Sequence, residues 1–183
     1  EGYEFEGWCL KDGTEFDVVV NLEGTNKLEG VNNSLQFSNT GSVLIQGSGS
    51  LDMVVPQSYK KGLIWCSRNT SLTIKDTTFT ATVDGASSER FGIVSKGDIL
   101  IENSTVDIRC DYGRILSTRD GTTTAITSGS VNASNVTIKN SDVKLIATSE
   151  NAKGSALPAQ SLVVESKGNF TIENSNVELG NRS

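Results

Sequence analysis

Leu72-Thr-Ile-Lys-Asp-Thr-Thr-Phe79, Ile99-Leu-Ile-Glu-Asn-Ser-Thr-Val106, Val136-Thr-Ile-Lys-Asn-Ser-Asp-Val143 and Phe170-Thr-Ile-Glu-Asn-Ser-Asn-Val177 are copies of one pattern. In each, two apolar residues sit two apart, a polar break follows, and a further apolar residue stands five places after the second. Val43-Leu-Ile45 with Leu51 is a looser copy with one residue inserted, and Val20-Asn-Leu22 with Leu28 is looser still. Alternation with period two is the mark of a strand with one buried face. Around Ile101 it directs Ile99, Ile101, Val106 and Ile108 inward and Leu100, Glu102, Thr105 and Asp107 outward. Val136, Ile138, Val143 and Leu145 form the matching inward set of the next copy, and Phe170, Ile172, Val177 and Leu179 that of the last.

A shorter pattern leads into this one. Phe37-Ser-Asn-Thr-Gly-Ser-Val43, Cys66-Ser-Arg-Asn-Thr-Ser-Leu72, Val94-Ser-Lys-Gly-Asp-Ile99 and Val164-Glu-Ser-Lys-Gly-Asn-Phe170 each run apolar, polar turn, apolar. Gly41, Gly97 and Gly168 suit a turn that needs positive φ, and Asn69 is the next best residue there. Joined, the two patterns give strand, short turn, strand, short turn, strand and a longer loop. One such unit cannot bury its own apolar face, so units must stack. Constant turns with one loop of variable length also explain the uneven spacing of Ile45, Ile74, Ile101, Ile138 and Ile172. The expected fold is all-β: a right-handed parallel β-helix, a solenoid of about six coils. Residues 20–183 would form it, and residues 1–19 would be an N-terminal cap or the remnant of a surface repeat module.

Asp76, Asn103, Asn140 and Asn174 fall at one equivalent place, the bend between two strands. Stacking would align them about 4.8 Å apart, close enough for hydrogen bonds along the column. They are expected to form a structural ladder, followed by a hydroxyl column of Thr77, Ser104, Ser141 and Ser175.

Composition sets limits on chemistry. The net charge is -6 and there is no His among 183 residues. Triads, Cys–His dyads and zinc–His sites are thereby excluded. An acidic chain without clustered Lys and Arg does not suit nucleic acid. No apolar run reaches the length of a membrane-spanning helix, so membrane insertion is not expected. Cys9, Cys66 and Cys110 are three cysteines at wide spacing, and no disulfide framework follows. Cys66 and Cys110 read as buried thiols, with a bridge between them as the alternative. No acidic loop of calcium-binding spacing occurs, so neither metal nor cofactor is expected. The chain opens at Glu1 without Met and reads as part of a longer polypeptide, whose further domains would be its partners.

Gly2-Tyr3-Glu-Phe5-Glu-Gly7-Trp8, followed by Gly13-Thr-Glu-Phe16-Asp17, resembles the closing part of a Listeria–Bacteroides repeat. In those repeats a Gly-Tyr-x-Phe-x-Gly-Trp signature ends a small β-grasp module of bacterial cell-surface proteins, although here Cys9 stands where an aromatic is usual and the module's first half is lacking. Val20-Asn-Leu-Glu-Gly-Thr-Asn-Lys-Leu28 and Leu44-Ile-Gln-Gly-Ser-Gly-Ser-Leu51 resemble the opening coils of bacterial surface β-helix repeats of the carbohydrate-binding type. That second resemblance covers residues 18–179 and rests on fold-determining positions. It implies an extracellular or cell-wall-attached protein and a polysaccharide or host glycan as ligand.

Solenoids bind through faces and variable loops. The longest departure from the repeat lies between Ile108 and Ala125 and carries Arg109, Asp111, Tyr112, Arg114, Arg119 and Asp120. If the loops share one edge, Glu89, Arg90 and Tyr59 lie beside it. Tyr112 and Tyr59 would stack on pyranose rings, and Arg114 and Arg119 would clamp hydroxyls or a uronate carboxylate. Glycosidases need a pair of carboxyl groups, which Asp111 and Asp120 would supply. Outward acids on the rungs are spread singly, so a non-catalytic module that holds glycan weakly at this edge is the first expectation. A purely structural stalk or spacer of an adhesin is the second, and a polysaccharide lyase or glycosidase the third.

Overall fold

The structure, a computed structural model, describes residues 4–5, 9–11, 15–29, 35–37, 41–55, 62–66, 70–83, 90–111, 113–117, 134–148 and 164–182. Two short strands, β1 (Glu4–Phe5) and β2 (Cys9–Lys11), open the chain. They are followed by β3 (Glu15–Asn21), β4 (Thr25–Glu29), β5 (Leu35–Phe37), β6 (Ser42–Gln46), β7 (Ser50–Val55) and β8 (Gly62–Cys66). Next come β9 (Ser71–Lys75), β10 (Thr78–Val83), β11 (Arg90–Ser95), β12 (Ile99–Glu102), β13 (Thr105–Asp111) and β14 (Gly113–Ser117). The last are β15 (Val136–Lys139), β16 (Asp142–Thr148), β17 (Val164–Glu165), β18 (Phe170–Glu173) and β19 (Asn176–Arg182).

From β3 onward each strand pairs with the strand three places along. The first sheet runs β3-β6-β9-β12-β15-β18, the second β4-β7-β10-β13-β16-β19, and the third β5-β8-β11-β14-β17. All of these pairings are parallel. The chain is a parallel β-helix: each of the first five rungs contributes one strand to each sheet, the last contributes β18 and β19, and each next rung stacks beneath in register.

Register places like side chains in files. Ile45, Ile74, Ile101, Ile138 and Ile172 form one file of the first sheet. Leu51, Phe79, Val106, Val143 and Val177 form a file of the second. Ile74, Ile101 and Ile138 are 0% exposed, whereas Ile172 in the last rung is 45% exposed. Burial in these files drives the stack, since each fully buried aliphatic side chain contributes about 1.5–3 kcal/mol. Cys66 lies in this core as a free thiol, so it is not bridged to Cys110. Burial pushes its pKa up to about 12, because the thiolate would lose its hydration there.

Three details differ from the sequence reading. The first rung pairs Val18 and Val20, not Val20 and Leu22, with Val43 and Ile45. A slip of two residues keeps every side chain on its own face, so alternation cannot tell these registers apart. The corner decides instead: the Leu22 N–H donates to Gln46 O at 2.7 Å, and Gly24 turns the chain at φ 63°. Asn26 then stands across from Leu51, buried, with its amide donating to Glu23 O (3.1 Å) and Ser50 O (3.0 Å).

Second, Gly97 and Gly168 do not take positive φ, although Gly41 does, at 132°. They are needed for close approach. A Cβ on Gly97 would lie 2.7 Å from Ser71 Oγ and 2.8 Å from Ser71 N, and one on Gly168 would lie 2.5 Å from Asn135 Oδ1. Asn69 lies outside the described residues.

Third, the stretch from Ile108 is not all loop. β13 continues to Asp111, and β14 takes its place in the third sheet between β11 and β17. The insertion of this rung therefore falls after Ser117.

At the N-terminal end, β3 runs through the expected boundary at residue 19. Val20 and Asn21 pair with β6 on one side and antiparallel with β1 on the other. The outer edge of the first sheet is covered there, which removes an edge that would otherwise template further pairing.

Candidate functional site

Two polar corners frame the first sheet. At the corner leading to the second sheet, Asp76, Asn103, Asn140 and Asn174 all adopt left-handed backbone, with φ of 53°, 49°, 49° and 46°. Asn and Asp are the residues other than Gly that visit this region routinely, because their short polar groups bond locally. The Asn103 amide donates to Asp76 Oδ1 at 3.1 Å. For Asn140 and Asn174 no side-chain hydrogen bond is found among the described residues. The shared conformation, more than a continuous amide ladder, is the common property of the column.

The continuous ladder is the hydroxyl column beside it. The backbone N–H groups of Thr77, Ser104 and Ser141 donate to the hydroxyls of Ser104 (3.3 Å), Ser141 (3.1 Å) and Ser175 (3.1 Å) in the following rung. Ser104, Ser141 and Ser175 donate in turn to the carbonyls of Glu102 (2.8 Å), Lys139 (2.7 Å) and Glu173 (2.7 Å). Each hydroxyl satisfies a buried donor of the preceding rung and an acceptor of its own. A cavity of about 430 Å³ runs along this corner, lined by Asn103, Asn140, Asn174, Thr105 and Asp142 with Ser104 and Ser141.

The opposite corner, where the third sheet returns to the first, carries a second column that sequence reasoning missed. The Asn135 N–H donates to Asp98 Oδ1 at 2.7 Å, and the Asn169 N–H to Asn135 Oδ1 at 2.9 Å. The signal was present: Asp98, Asn135 and Asn169 each stand immediately before the first strand of a repeat copy. Asp98 and Asn135 thus each commit one oxygen to the rung that follows, and the Asn135 amide also reaches back to Asp98 Oδ1 at 3.5 Å.

Outward from that column lies a trough of about 520 Å³ that crosses four rungs of the first sheet. Asp98, Asn135, Asn169 and Ser71 form one wall, and Thr73, Leu100, Thr137 and Thr171 form its floor and other side. Three rung spacings make it about 14 Å long. Its far side is bounded by charges of alternating sign: Lys75 and Lys139 flank Glu102 at 3.2 and 3.8 Å. The second sheet's outer face is occupied with its own pairs, Thr80 to Asp52 (2.7 Å), Asn176 to Asp142 (3.1 Å) and Lys144 with Glu178 (3.1 Å). The trough is the larger of these two polar surfaces, and its groups are aligned along the stack axis.

Tyr59, Glu89 and Tyr112 belong to segments joining the second sheet to the third, whereas Arg119 and Asp120 belong to the segment from β14 to the first sheet. These five residues lie outside the described residues. Arg90, Asp111 and Arg114 fall on β11, β13 and β14. The register sets Arg90 opposite Gly113, Arg114 opposite Phe91 and Asp111 opposite Thr148. Among the described residues no group of three or more Cys, Asp or Glu is arranged to hold a metal, and no helix is long and apolar enough to cross a membrane.

No protein-family model matches the chain, and no curated protein or solved structure matches it either.

Proposed function

We propose that the chain is a non-catalytic module of an extracellular or cell-wall-attached protein and that it holds a neutral glycan weakly on its polar trough. The observation that carries this reading is the alignment of Asp98, Asn135, Asn169, Thr73, Thr137 and Thr171 along about 520 Å³ of open surface. Amides, a carboxylate and hydroxyls at regular intervals suit an extended chain of sugar hydroxyls. Asp98, the only carboxylate among the described lining residues, repels uronates. A glycosidase of either stereochemistry would need two carboxyl groups. Among the described residues no aromatic side chain lines the trough, so stacking on a pyranose face is not part of this reading and low affinity is expected.

Affinity electrophoresis through neutral β-glucan and through polygalacturonate tests the reading. Thr137→Arg fills the trough without touching either ladder, and it is expected to abolish retardation by the neutral polymer. Retention in Thr137→Arg together with loss in Tyr112→Ala/Arg114→Ala would move binding to the loop edge. Retardation by no glycan would favour the second reading, a structural spacer. That reading draws support from the paired charges and bonded hydroxyls of the second sheet, which leave its face already satisfied.

A further inference from the structure

The trough of the first sheet is not uniform along its length. Its floor is one outward-facing file, Thr73, Leu100, Thr137 and Thr171, paired in register through β9, β12, β15 and β18. Ile99 and Ile101 are 1% and 0% exposed, so alternation turns Leu100 outward, where it is half-buried. An aliphatic side chain thus interrupts a file of threonines. Leu100 lies in an interior rung, with Thr73 on one side and Thr137 on the other, each about 4.8 Å away along the stack. Among the described residues the hydroxyls of Thr73 and Thr137 have no hydrogen-bond partner. Asp98 stands two residues before Leu100, about 6.6 Å back along the chain, and both line the trough. Asp98 Oδ1 accepts from the Asn135 backbone N–H at 2.7 Å and from the Asn135 amide at 3.5 Å. Its Oδ2 has no partner among the described residues. One aliphatic side chain is therefore surrounded by a carboxylate oxygen that accepts and by hydroxyls that donate.

We propose that this cluster reads the acetamido group of an N-acetylated amino sugar, so that the glycan held by the trough is a neutral N-acetylhexosamine polymer. This specificity presupposes the glycan reading above and adds the substituent that selects the polymer. The acetamido N–H donates to Asp98 Oδ2, its carbonyl accepts from the Thr137 hydroxyl, and its methyl covers Leu100. A plain hexose carries a hydroxyl at that place and would set it against Leu100 without a partner, which is unfavourable. A free amine would pair with Asp98, but it has no methyl for Leu100 and no carbonyl for Thr137. Threonine replaces Leu100 in the neighbouring rungs of the trough, so the acetamido group is read at one place, between β9 and β15.

An amide chemical-shift titration of the intact chain with three β-linked tetrasaccharides of one backbone tests this: the N-acetylglucosamine tetramer, the glucose tetramer and the fully deacetylated glucosamine tetramer. The acetylated tetramer is expected to bind about tenfold more tightly than the glucose tetramer, the combined effect of one covered methyl and one charge-assisted hydrogen bond. Its largest shifts should fall at residues 98–100 and 135–137. Leu100→Ser and Asp98→Asn, each checked for native circular dichroism, are expected to bring the two neutral tetramers within about twofold of each other. Equal binding of those two by the parent chain overturns the acetamido assignment and leaves the glycan reading in place. Tightest binding of the glucosamine tetramer overturns it in favour of simple attraction to Asp98. A preference that survives Leu100→Ser, or shifts centred on other residues, overturns it as well. Binding of none of the three overturns both the assignment and the glycan reading.

Discussion

Replacing Asn140 separates two explanations of the asparagine corner. Asn140 is exposed, sits at φ 49°, and its backbone N–H donates to Glu173 O at 2.9 Å. Its amide side chain has no hydrogen-bond partner among the described residues, so removing it breaks no bond seen there. The cost must come from the backbone. An ordinary L-residue held in left-handed conformation loses roughly 1–2 kcal/mol relative to the right-handed region. Asn140→Ala is therefore expected to cost about 1 kcal/mol, since Asn itself carries part of that strain. Glycine has no Cβ to clash but gains about 0.5–1 kcal/mol of freedom in the unfolded chain. Asn140→Gly is thus expected to lie close to the parent and to be clearly milder than Asn140→Ala. Urea unfolding followed by far-UV circular dichroism measures both, and a 1 kcal/mol loss lowers the thermal midpoint by about 2–4 °C in a chain of this size. Equal losses for Gly and Ala would show that the amide, not the backbone, holds the corner. No loss for Ala would refute the conformational argument itself.

Other perturbations probe neighbouring features. Ser141→Ala leaves the buried Ser104 N–H without its 3.1 Å acceptor, and should cost about 1–3 kcal/mol in the same unfolding assay, more than Ser175→Ala in the exposed last rung. Gly97→Ala drives a methyl against the backbone of Ser71 and should destabilise by about 1–3 kcal/mol; an unchanged midpoint would count against the close approach of these turns. Cys66 retains its proton in the folded chain at pH values where the unfolded thiol, at its ordinary 9.0, has lost it. The unfolded state then binds fewer protons, so stability falls as pH rises above about 9 and is unaffected by this group below that. Native protein at pH 8 should leave Cys66 unalkylated by iodoacetamide until urea unfolds it, as peptide mapping would show.

Much of this architecture is legible in the sequence because its causes are periodic. Ile74, Ile101, Ile138 and Ile172 repeat with the same polar break behind them, and one stacked file is the arrangement that buries all but the last. The corner asparagines are legible as a column, but the sequence reading places positive φ at the other corner, on Gly41, Gly97, Gly168 and Asn69, and not on them. Gly97 and Gly168 turned out to need contact space and not positive φ. The first rung was misaligned because a period of two is blind to a slip of two, and only the Leu22–Gly24 corner breaks the tie. β14 was hidden because its rung lacks the short turn that leads into Ile99 or Phe170, an insertion standing there instead. The trough was overlooked for a different reason. Asp98, Asn135 and Asn169 are each unremarkable in isolation and acquire meaning only when consecutive rungs bring them into line.

Stacking in parallel and in register is tested most directly by cross-linking across the outer face of the first sheet. Leu100 and Thr137 are paired partners in adjacent rungs, and Thr73 stands one rung further from Thr137. One rung spacing, about 4.8 Å, lies within the reach of a disulfide, whereas two spacings, about 9.6 Å, exceed its limit of about 7 Å. With Cys9, Cys66 and Cys110 replaced by Ala, Leu100→Cys/Thr137→Cys should oxidise to an intramolecular bridge while Thr73→Cys/Thr137→Cys stays reduced. A bridge in the second pair, or none in the first, would contradict the stack.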